Sequence, residues 1–236
     1  MAAIALDTPR RGEFDADRDR GFSAGLARWP ELAGLLAGAQ RVGPIRVMSN
    51  WHGYFRQSAG TGWALVGDAG HFKDFTPGQG ISDALRQAGT LAESIAAGFG
   101  DGGGLNARLQ RWWRWRDRDA QPMYWLAHDM GRPGVSTPLV TRMLRNIAGD
   151  ATATQQFAEV LNHDLRPAQL FTVGRMLKAA AGALRDRPDQ ATATVREIGS
   201  AVKNEFHRAR SQRTTGPDKA RPTSRIRVHR PRRVSS

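Results

Sequence analysis

The sequence predicts an α+β fold that is mostly helical. Short strand-like runs occur only before residue 67, whereas apolar residues recur at helical spacing over most of the chain after residue 80. Hydrophobic residues make up 40% of the 236 positions, which is enough to build a real core. We expect a strand-containing region over residues 1–100, a helical region over residues 101–209 and a disordered basic tail over residues 210–236.

The strand-containing region opens with short elements. Residues 2–6 form an apolar segment that fits a strand, and helices are predicted over residues 15–28 and 31–37, with Pro30 suited to a first helical turn. Further strands are predicted over residues 45–48, 54–56 and 63–66. The last run is continuously apolar, which is typical of a strand buried on both faces in a parallel sheet and flanked by two neighbours.

Helical periodicity dominates the rest of the chain. A helix is predicted to open at about Gln79, with apolar positions at Ile81, Ala84, Leu85, Ala88, Leu91, Ala92 and Ile95, and to end in the glycines of residues 98–104. A longer helix over residues 105–130 places Leu109, Trp112, Ala120, Met123 and Leu126 on one face, with Pro122 inside it. Further helices are predicted over residues 138–148, 153–161, 167–185 and 191–208.

The net charge of +13 is concentrated at the carboxyl end. Residues 208–233 contain ten Lys or Arg and one acidic residue, so this segment carries +9 of the total. Rich in Pro, Ser and Thr, the tail has too few apolar residues to offset the entropy of ordering, and disorder is predicted for it. Its charge permits weak, salt-sensitive contact with nucleic acid, although most such blocks are solvated.

Composition excludes several kinds of chemistry. The chain has no cysteine, which removes disulfides and thiolate nucleophiles and fits a reducing compartment, so a cytoplasmic location is expected. The six histidines show no metal-ligand spacing, and a metal enzyme is not expected. No apolar run approaches the roughly 20 residues of a membrane-spanning helix.

Three short motifs have an ordinary interpretation beside a functional one. Residues 21–25 spell Gly-x-Ser-x-Gly, the pattern of a serine hydrolase with Ser23 as nucleophile, but no buried strand precedes them. Residues 98–103 spell Gly-x-Gly-x-x-Gly at the end of a helix rather than between a strand and a helix. Residues 111–118 interleave Trp and Arg, which would suit a nucleic-acid-associated helical protein, but helical spacing favours packed Trp and solvated Arg.

The segment from Gly67 to Ile81 carries the strongest chemical signal. A predicted strand ends at Gly67-Asp68, a glycine-rich loop follows, and a helix opens near Gln79. The Asp68 carboxylate can accept hydrogen bonds from sugar-like hydroxyls, while Gly78 and Gly80 let backbone N–H groups approach a flat ring. The helix N-terminus stabilises nearby negative charge by about 0.5–2 kcal/mol. This order of elements favours a flavin.

These residues also resemble a known family. The runs Gly67-Asp68-Ala69-Gly70-His71, Pro77-Gly78-Gln79-Gly80-Ile81 and Asp83-Ala84 are similar to the Gly-Asp motif region of FAD-dependent aromatic hydroxylases, the group A flavoprotein monooxygenases, and their oxidoreductase relatives. The resemblance covers roughly residues 1–185 and is strongest over residues 63–96. Two positions depart from the family pattern, Phe75 where a proline is usual and Gln87 where an acid is frequent.

The resemblance implies a fold and a chemistry. It implies residual strands of a Rossmann-like FAD/NAD(P)-binding domain followed by a helical region, so that residues 1–100 would be a truncated FAD-binding domain with a remnant of the substrate-domain strands. It also implies FAD as cofactor, NAD(P)H as reductant and a small organic molecule as substrate. Asp68 would contact the ribityl and pyrophosphate region, and residues 77–81 would line the isoalloxazine edge. The implied cofactor-binding residues are Gly67, Asp68, Pro77, Gly78, Gln79, Gly80 and Ile81. It assigns no catalytic residue.

Two other cofactor motifs of that family are missing from this chain. No strand, Gly-x-Gly-x-x-Gly turn and helix precede Gly67 to hold the FAD pyrophosphate, and the middle Asp-Gly motif is also absent. We therefore expect a partial chain that binds little flavin alone, with an apolar strand at residues 63–66 lacking sheet partners. A complementing amino-terminal chain would supply both.

Overall fold

A computed structural model describes residues 2–6, 8–48, 52–99, 104–132 and 136–214. Helices account for 68% of the structure and strands for 4%, which confirms a mostly helical fold with a few strands. Within these ranges, no helix combines the length and the apolar character that crossing a membrane requires.

Three short helices lie near the amino terminus: α1 (Arg11–Ala16), α2 (Arg18–Leu26) and α3 (Pro30–Leu35). The single helix predicted over residues 15–28 is wrong, because Asp17 adopts an extended backbone and its side chain accepts a hydrogen bond from the Arg20 N–H at 3.0 Å, capping α2. Ser23 lies inside α2, so the nucleophile-elbow geometry is not formed.

Four two-residue strands follow: β1 (Tyr54–Phe55), β2 (Ala59–Gly60), β3 (Trp63–Ala64) and β4 (His71–Phe72). They form two antiparallel pairs, β1 with β4 and β2 with β3. The strands predicted over residues 2–6 and 45–48 do not form.

The parallel, doubly buried strand predicted over residues 63–66 is therefore wrong. Gly62 has a φ of +77°, which permits the tight turn that folds β3 back along β2. Trp63 is 43% exposed, and no second strand pairs with β3 in the part of the chain that the structure describes. The tight turn at Gly62, and not the apolar character of residues 63–66, determines how this segment pairs.

Two long helices, α4 (Gly80–Phe99) and α5 (Leu105–Met130), pack against each other. The bounds of α5 are those expected from sequence, and four of its five predicted core residues are buried: Leu109, Trp112, Ala120 and Met123. Trp113 is buried too, whereas Arg111, Arg114 and Arg118 are exposed. The packing interpretation of this Trp/Arg segment is confirmed for these residues, whereas Arg116 in the same segment is buried.

The carboxyl-terminal half consists of α6 (Pro138–Ala148), α7 (Ala151–Leu161), α8 (Pro167–Leu170), α9 (Val173–Asp186) and α10 (Ala191–Thr214). The single helix predicted over residues 167–185 is interrupted at Thr172, whose side chain caps α9 by accepting from the Arg175 N–H. Because α10 reaches Thr214, the start of the predicted disordered tail is helical, and residues 215–236 lie outside the described residues.

Two apolar clusters hold these elements together. One joins α5 to α6, α7 and α8, and its buried members are Met123, Ile147, Ala153, Val160 and Leu170. The other joins β2 to α5, with α4 packed against it, and its buried members are Ala59, Leu109, Trp112 and Trp113. The second cluster fixes the position of α4, and the Gly67–Ile81 segment leads directly into that helix.

Candidate functional site

Gly67 opens a short 3₁₀ turn, Gly67–Ala69, that lies against α4. Its φ is +58°, and a Cβ at this position would lie 3.1 Å from the Cβ of Ala84. The Gly67 N–H donates to Oε1 of Gln87 at 2.9 Å. Only glycine combines this backbone angle with so close an approach, so the turn is fixed on the first turns of the helix.

Asp68 lies in the middle of this turn and is exposed. Its backbone carbonyl accepts a hydrogen bond from the Tyr54 hydroxyl at 2.6 Å. The turn is thus tied to β1 on one side and to α4 through Gly67 on the other. The Asp68 carboxylate is held by its backbone at the surface, beside the amino-terminal part of α4.

The loop before α4 is shaped by two local hydrogen bonds. Oδ1 of Asp74 accepts from the Thr76 N–H at 2.9 Å, and the Gly78 N–H donates to the Phe75 carbonyl at 2.8 Å. Gly78 has a φ of +69°. Apart from the adjacent residues and, for Gly80, its own helix, no described atom lies within 4 Å of a Cβ built at Gly78 or Gly80, so the space beside these two Cα atoms is open.

Gln79 differs from its neighbours because its side chain is buried, with 3% of the residue exposed. Its Nε2 donates to the carbonyl of Leu161, at the end of α7, at 2.7 Å, and its Oε1 accepts from Nζ of Lys73 at 2.9 Å. The seven predicted residues therefore differ in exposure. Gly67 and Gln79 are buried supports, Pro77 is half-buried, and Asp68, Gly78, Gly80 and Ile81 are exposed.

A buried ionic cluster lies directly behind this loop. Asp83, in the first turn of α4, has Oδ2 at 2.5 Å from Nζ of Lys73 and Oδ1 at 3.0 Å from Nε2 of His163. Nε2 of His71 lies 3.7 Å from Oδ2 of the same carboxylate. All four side chains are at most 7% exposed. We call these four residues the ionic cluster.

The cluster shifts the ionisation of its members. Burial by itself would raise the pKa of Asp83, but the adjacent His163 and His71 rings and the charge of Lys73 outweigh it and hold that pKa well below its usual range. Burial lowers the pKa of Lys73, and the Asp83 charge opposes that effect. Asp83 is therefore ionised at neutral pH and needs its cationic and N–H partners.

His163 reaches the cluster from the segment after α7, and its φ is +66°. This left-handed backbone is uncommon for a residue with a Cβ and is usually occupied by glycine at a helix end. The N–H of Asp164 closes the end of α7 on the Glu159 carbonyl at 2.8 Å. The contact between His163 and Asp83 thus ties the helical region to the start of α4.

A second ion pair, in which Arg116 is buried and Asp117 is half-buried, lies beside the strands. Arg116 of α5 is 1% exposed, its Nε lies 2.8 Å from Asp117, and its Nη2 donates to the Ser58 hydroxyl. Burial lowers the pKa of Arg116 and raises that of Asp117, while the attraction between the pair opposes both shifts. A Cβ at Gly70 would meet Arg116 at 2.6 Å, so the chain after the Gly67 turn runs directly over this guanidinium.

The ionic cluster was not predicted from the sequence, although part of its pattern is present there. Gln79, Asp83 and Gln87 recur every four residues, which places three polar side chains on one face of a helix. His71 and Lys73 are two residues apart on an extended segment and share a face. Nothing in the sequence connected His163 to either pattern.

The described residues hold no group of His, Cys, Asp or Glu side chains arranged to bind a metal ion. A small cavity lies between α6, α7 and α9, and its lining includes Met143, Ile147 and Leu170. An open groove between α4 and α5 is lined by Glu93, Arg108 and Trp115 among others. Neither includes Asp68 or the loop before α4.

Comparison with protein-family models, with curated proteins and with solved structures finds no significant match to this chain.

Proposed function

We propose that this chain is an FAD-binding oxidoreductase, the carboxyl-terminal portion of an NAD(P)H-dependent flavin monooxygenase that hydroxylates a small organic substrate. The observation that carries the proposal is the cofactor rim, defined as Asp68, Gly78 and Gly80. These residues are exposed, and they border the amino-terminal part of a 20-residue helix. Bound FAD would supply the redox chemistry, accepting hydride from NAD(P)H and activating dioxygen.

The rim offers groups that fit a flavin cofactor. Asp68 presents an exposed carboxylate that can accept hydrogen bonds from ribityl hydroxyls. The open backbone at Gly78 and Gly80 allows a planar ring to approach, and the positive end of α4 favours negative charge there. Gln79, by contrast, stabilises the loop from behind instead of contacting the ring, which revises its predicted role.

The rim is only one side of a binding site. It is exposed, and Ile81 beside it is 80% exposed, whereas cofactor sites bury most of their ligand in a cleft. We propose that residues 52–99 are the remnant of a Rossmann-like domain and that a complementing amino-terminal chain, carrying the strand–glycine–helix unit, forms the other wall. The order of turn, glycine loop and long helix supports this assignment.

FAD titration followed by flavin fluorescence tests the proposal. The chain alone should bind FAD weakly and oxidise NAD(P)H negligibly, because half the contacts are missing. Adding a separately produced dinucleotide-binding domain with the missing motif should strengthen FAD binding. In that mixture Asp68→Ala should weaken binding about tenfold, the loss of roughly 1.4 kcal/mol of hydrogen bonding to a charged group, whereas the exposed Glu31→Ala control should not.

Each outcome bears on a separate part of the proposal. Stoichiometric, tightly bound FAD in the isolated chain would contradict the inference that the site is incomplete. Equal FAD affinities for the Asp68→Ala variant and the unmodified chain would remove the cofactor rim as the flavin contact. The alternative of a nucleic-acid-associated protein loses one of its two supports, since Trp112 and Trp113 are buried and cannot stack on bases.

A further inference from the structure

Helix α4 carries an apolar stripe that faces solvent. Ile81, Leu85 and Phe99 are 80%, 69% and 76% exposed, and Ala88 and Ala92 between them are also exposed. An amphipathic helix on a protein surface normally turns such a face inward. Here the inward face of α4 instead includes Asp83 and Gln87, both buried.

The six positions of the stripe carry no ionisable side chain. The three ionisable residues of α4 are Asp83, which is buried in the ionic cluster, Arg86, which pairs with Asp119 at 3.0 Å, and Glu93. Since successive residues are about 100° apart around a helix, Glu93 lies at the side of the stripe beside Ala92 rather than on it. Removing this stripe from water would bury no ionised group.

The stripe has the same pattern in both directions. Its positions are 81, 85, 88, 92, 95 and 99, with spacings of four, three, four, three and four residues. Large side chains occupy both ends and alanines the middle, in the order Ile, Leu, Ala, Ala, Ile and Phe. Ile95 is half-buried and also packs on the Trp112 cluster, so it joins the stripe to the protein core.

An antiparallel pair of identical helices uses such a pattern directly. If the two-fold axis crosses the helix pair at the level of position 90, Ile81 faces Phe99 of the second copy and Leu85 faces its Ile95. Ala88 then faces Ala92 of the second copy at the centre, where small side chains let the two helices approach closely. Alternating spacings of three and four residues are those of knobs-into-holes packing.

We propose that α4 is a homodimerisation helix, pairing with α4 of a second copy in antiparallel orientation. Two-fold self-complementarity is what an isologous interface requires, and an unrelated partner would not require it. The helix is about 30 Å long, and its six stripe positions are far fewer than the roughly 20–30 residues that each partner contributes to a standard stable interface. The dimer should therefore be weak and dependent on concentration, and it does not rest on the proposed flavin function.

Sedimentation velocity of the full chain over a concentration series tests the pairing. The unmodified chain should shift from monomer to dimer at micromolar concentration. Two double variants, Ala88→Glu with Ala92→Glu and Ala88→Lys with Ala92→Lys, place like charges opposite each other, and each should raise the dimer Kd by more than about tenfold. An equimolar mixture of the two should recover dimer, because opposite charges then face each other.

A matched control is Val173→Glu with Leu177→Glu on α9, where both residues are also four apart and exposed, at 76% and 65%. This control should dimerise like the unmodified chain, and circular dichroism should show the same helix content in every variant. An unmodified chain that stays monomeric, or α4 variants whose mixture stays monomeric, would overturn the proposal. So would a monomer that uses this face to bind a separate dinucleotide-binding domain.

Discussion

The helical half and the segment around the cofactor rim are stabilised by different forces. Where α5 packs on α6, α7 and α8, the buried cluster is apolar and includes Met123, Ile147, Val160 and Leu170. Behind the rim, the buried residues are charged or polar, and Asp83 alone contacts three cationic or N–H-bearing side chains. Apolar contacts tolerate small changes of geometry, whereas an ion pair out of water depends on each partner being present.

The difference indicates what each region does. Burying a charge costs several kcal/mol, which a purely structural core avoids. The ionic cluster buries charged groups where β4, the loop before α4, α4 itself and the segment after α7 meet. We infer that it fixes the position of the loop carrying the cofactor rim, while the apolar cluster supplies stability to the helices around it.

The largest effect is expected for Asp83→Asn. The amide cannot neutralise Lys73, so the buried amine must either keep an unpaired charge or give up its proton, and the free energy of unfolding should fall by about 4 kcal/mol. Asp119→Asn is the matched control, because its pair with Arg86 is about one-third exposed and should contribute less than about 1 kcal/mol. Urea unfolding followed by far-ultraviolet circular dichroism measures both.

The same variant gives a pH signature. Because the pKa of Asp83 is lowered in the folded state, its stabilisation is fully present above the unfolded value of about 3.9 and is lost as the pH falls through the folded pKa. The stability difference between the unmodified chain and Asp83→Asn should be constant near neutral pH and shrink below about pH 4. A difference that does not change down to pH 2 would contradict the ionic origin.

A somewhat smaller effect is expected from the apolar cluster. Leu170 is 1% exposed, so Leu170→Ala should lower the free energy of unfolding by about 3 kcal/mol through lost burial and the cavity left behind. Leu177→Ala, at a position on α9 that is 65% exposed, should change it by less than about 0.5 kcal/mol. The pH dependence of the free energy of unfolding in Leu170→Ala should match that of the unmodified chain, whereas that of Asp83→Asn should differ.

The same contrast explains which elements could be predicted from the sequence. The bounds of α5 and α6 were predicted correctly, because apolar periodicity specifies the helices and the side chain of Thr137 caps α6 just before Pro138. The strand at residues 63–66 was not predicted correctly. A short apolar run does not show which strand it pairs with, and the turn at Gly62 makes β3 the second strand of a hairpin.

The candidate site was predicted only in part. The assignment of Gly67, Asp68 and the later glycines to FAD binding stays a prediction, and among these residues Asp68, Gly78 and Gly80 are exposed. The residues that hold them in place were not predicted, because Asp83 and His163 are 80 positions apart and no periodic pattern relates them. Gln79 shows the difficulty, since its motif position suggested a ligand contact and its side chain is buried.

Replacing Lys73 and Asp83 together separates what the ionic cluster contributes to stability from what it contributes to the position of the loop. In Lys73→Met with Asp83→Leu, no unpaired charge remains, but His163 loses its acceptor, so unfolding should be easier by about 2 kcal/mol. The double variant should thus be more stable than Asp83→Asn alone, and the same titration measures it. If the cluster positions the loop, FAD binding in the presence of the complementing domain should weaken in the double variant but not in Leu170→Ala. Equal FAD affinities in these two variants would show that the ionic cluster contributes to stability alone.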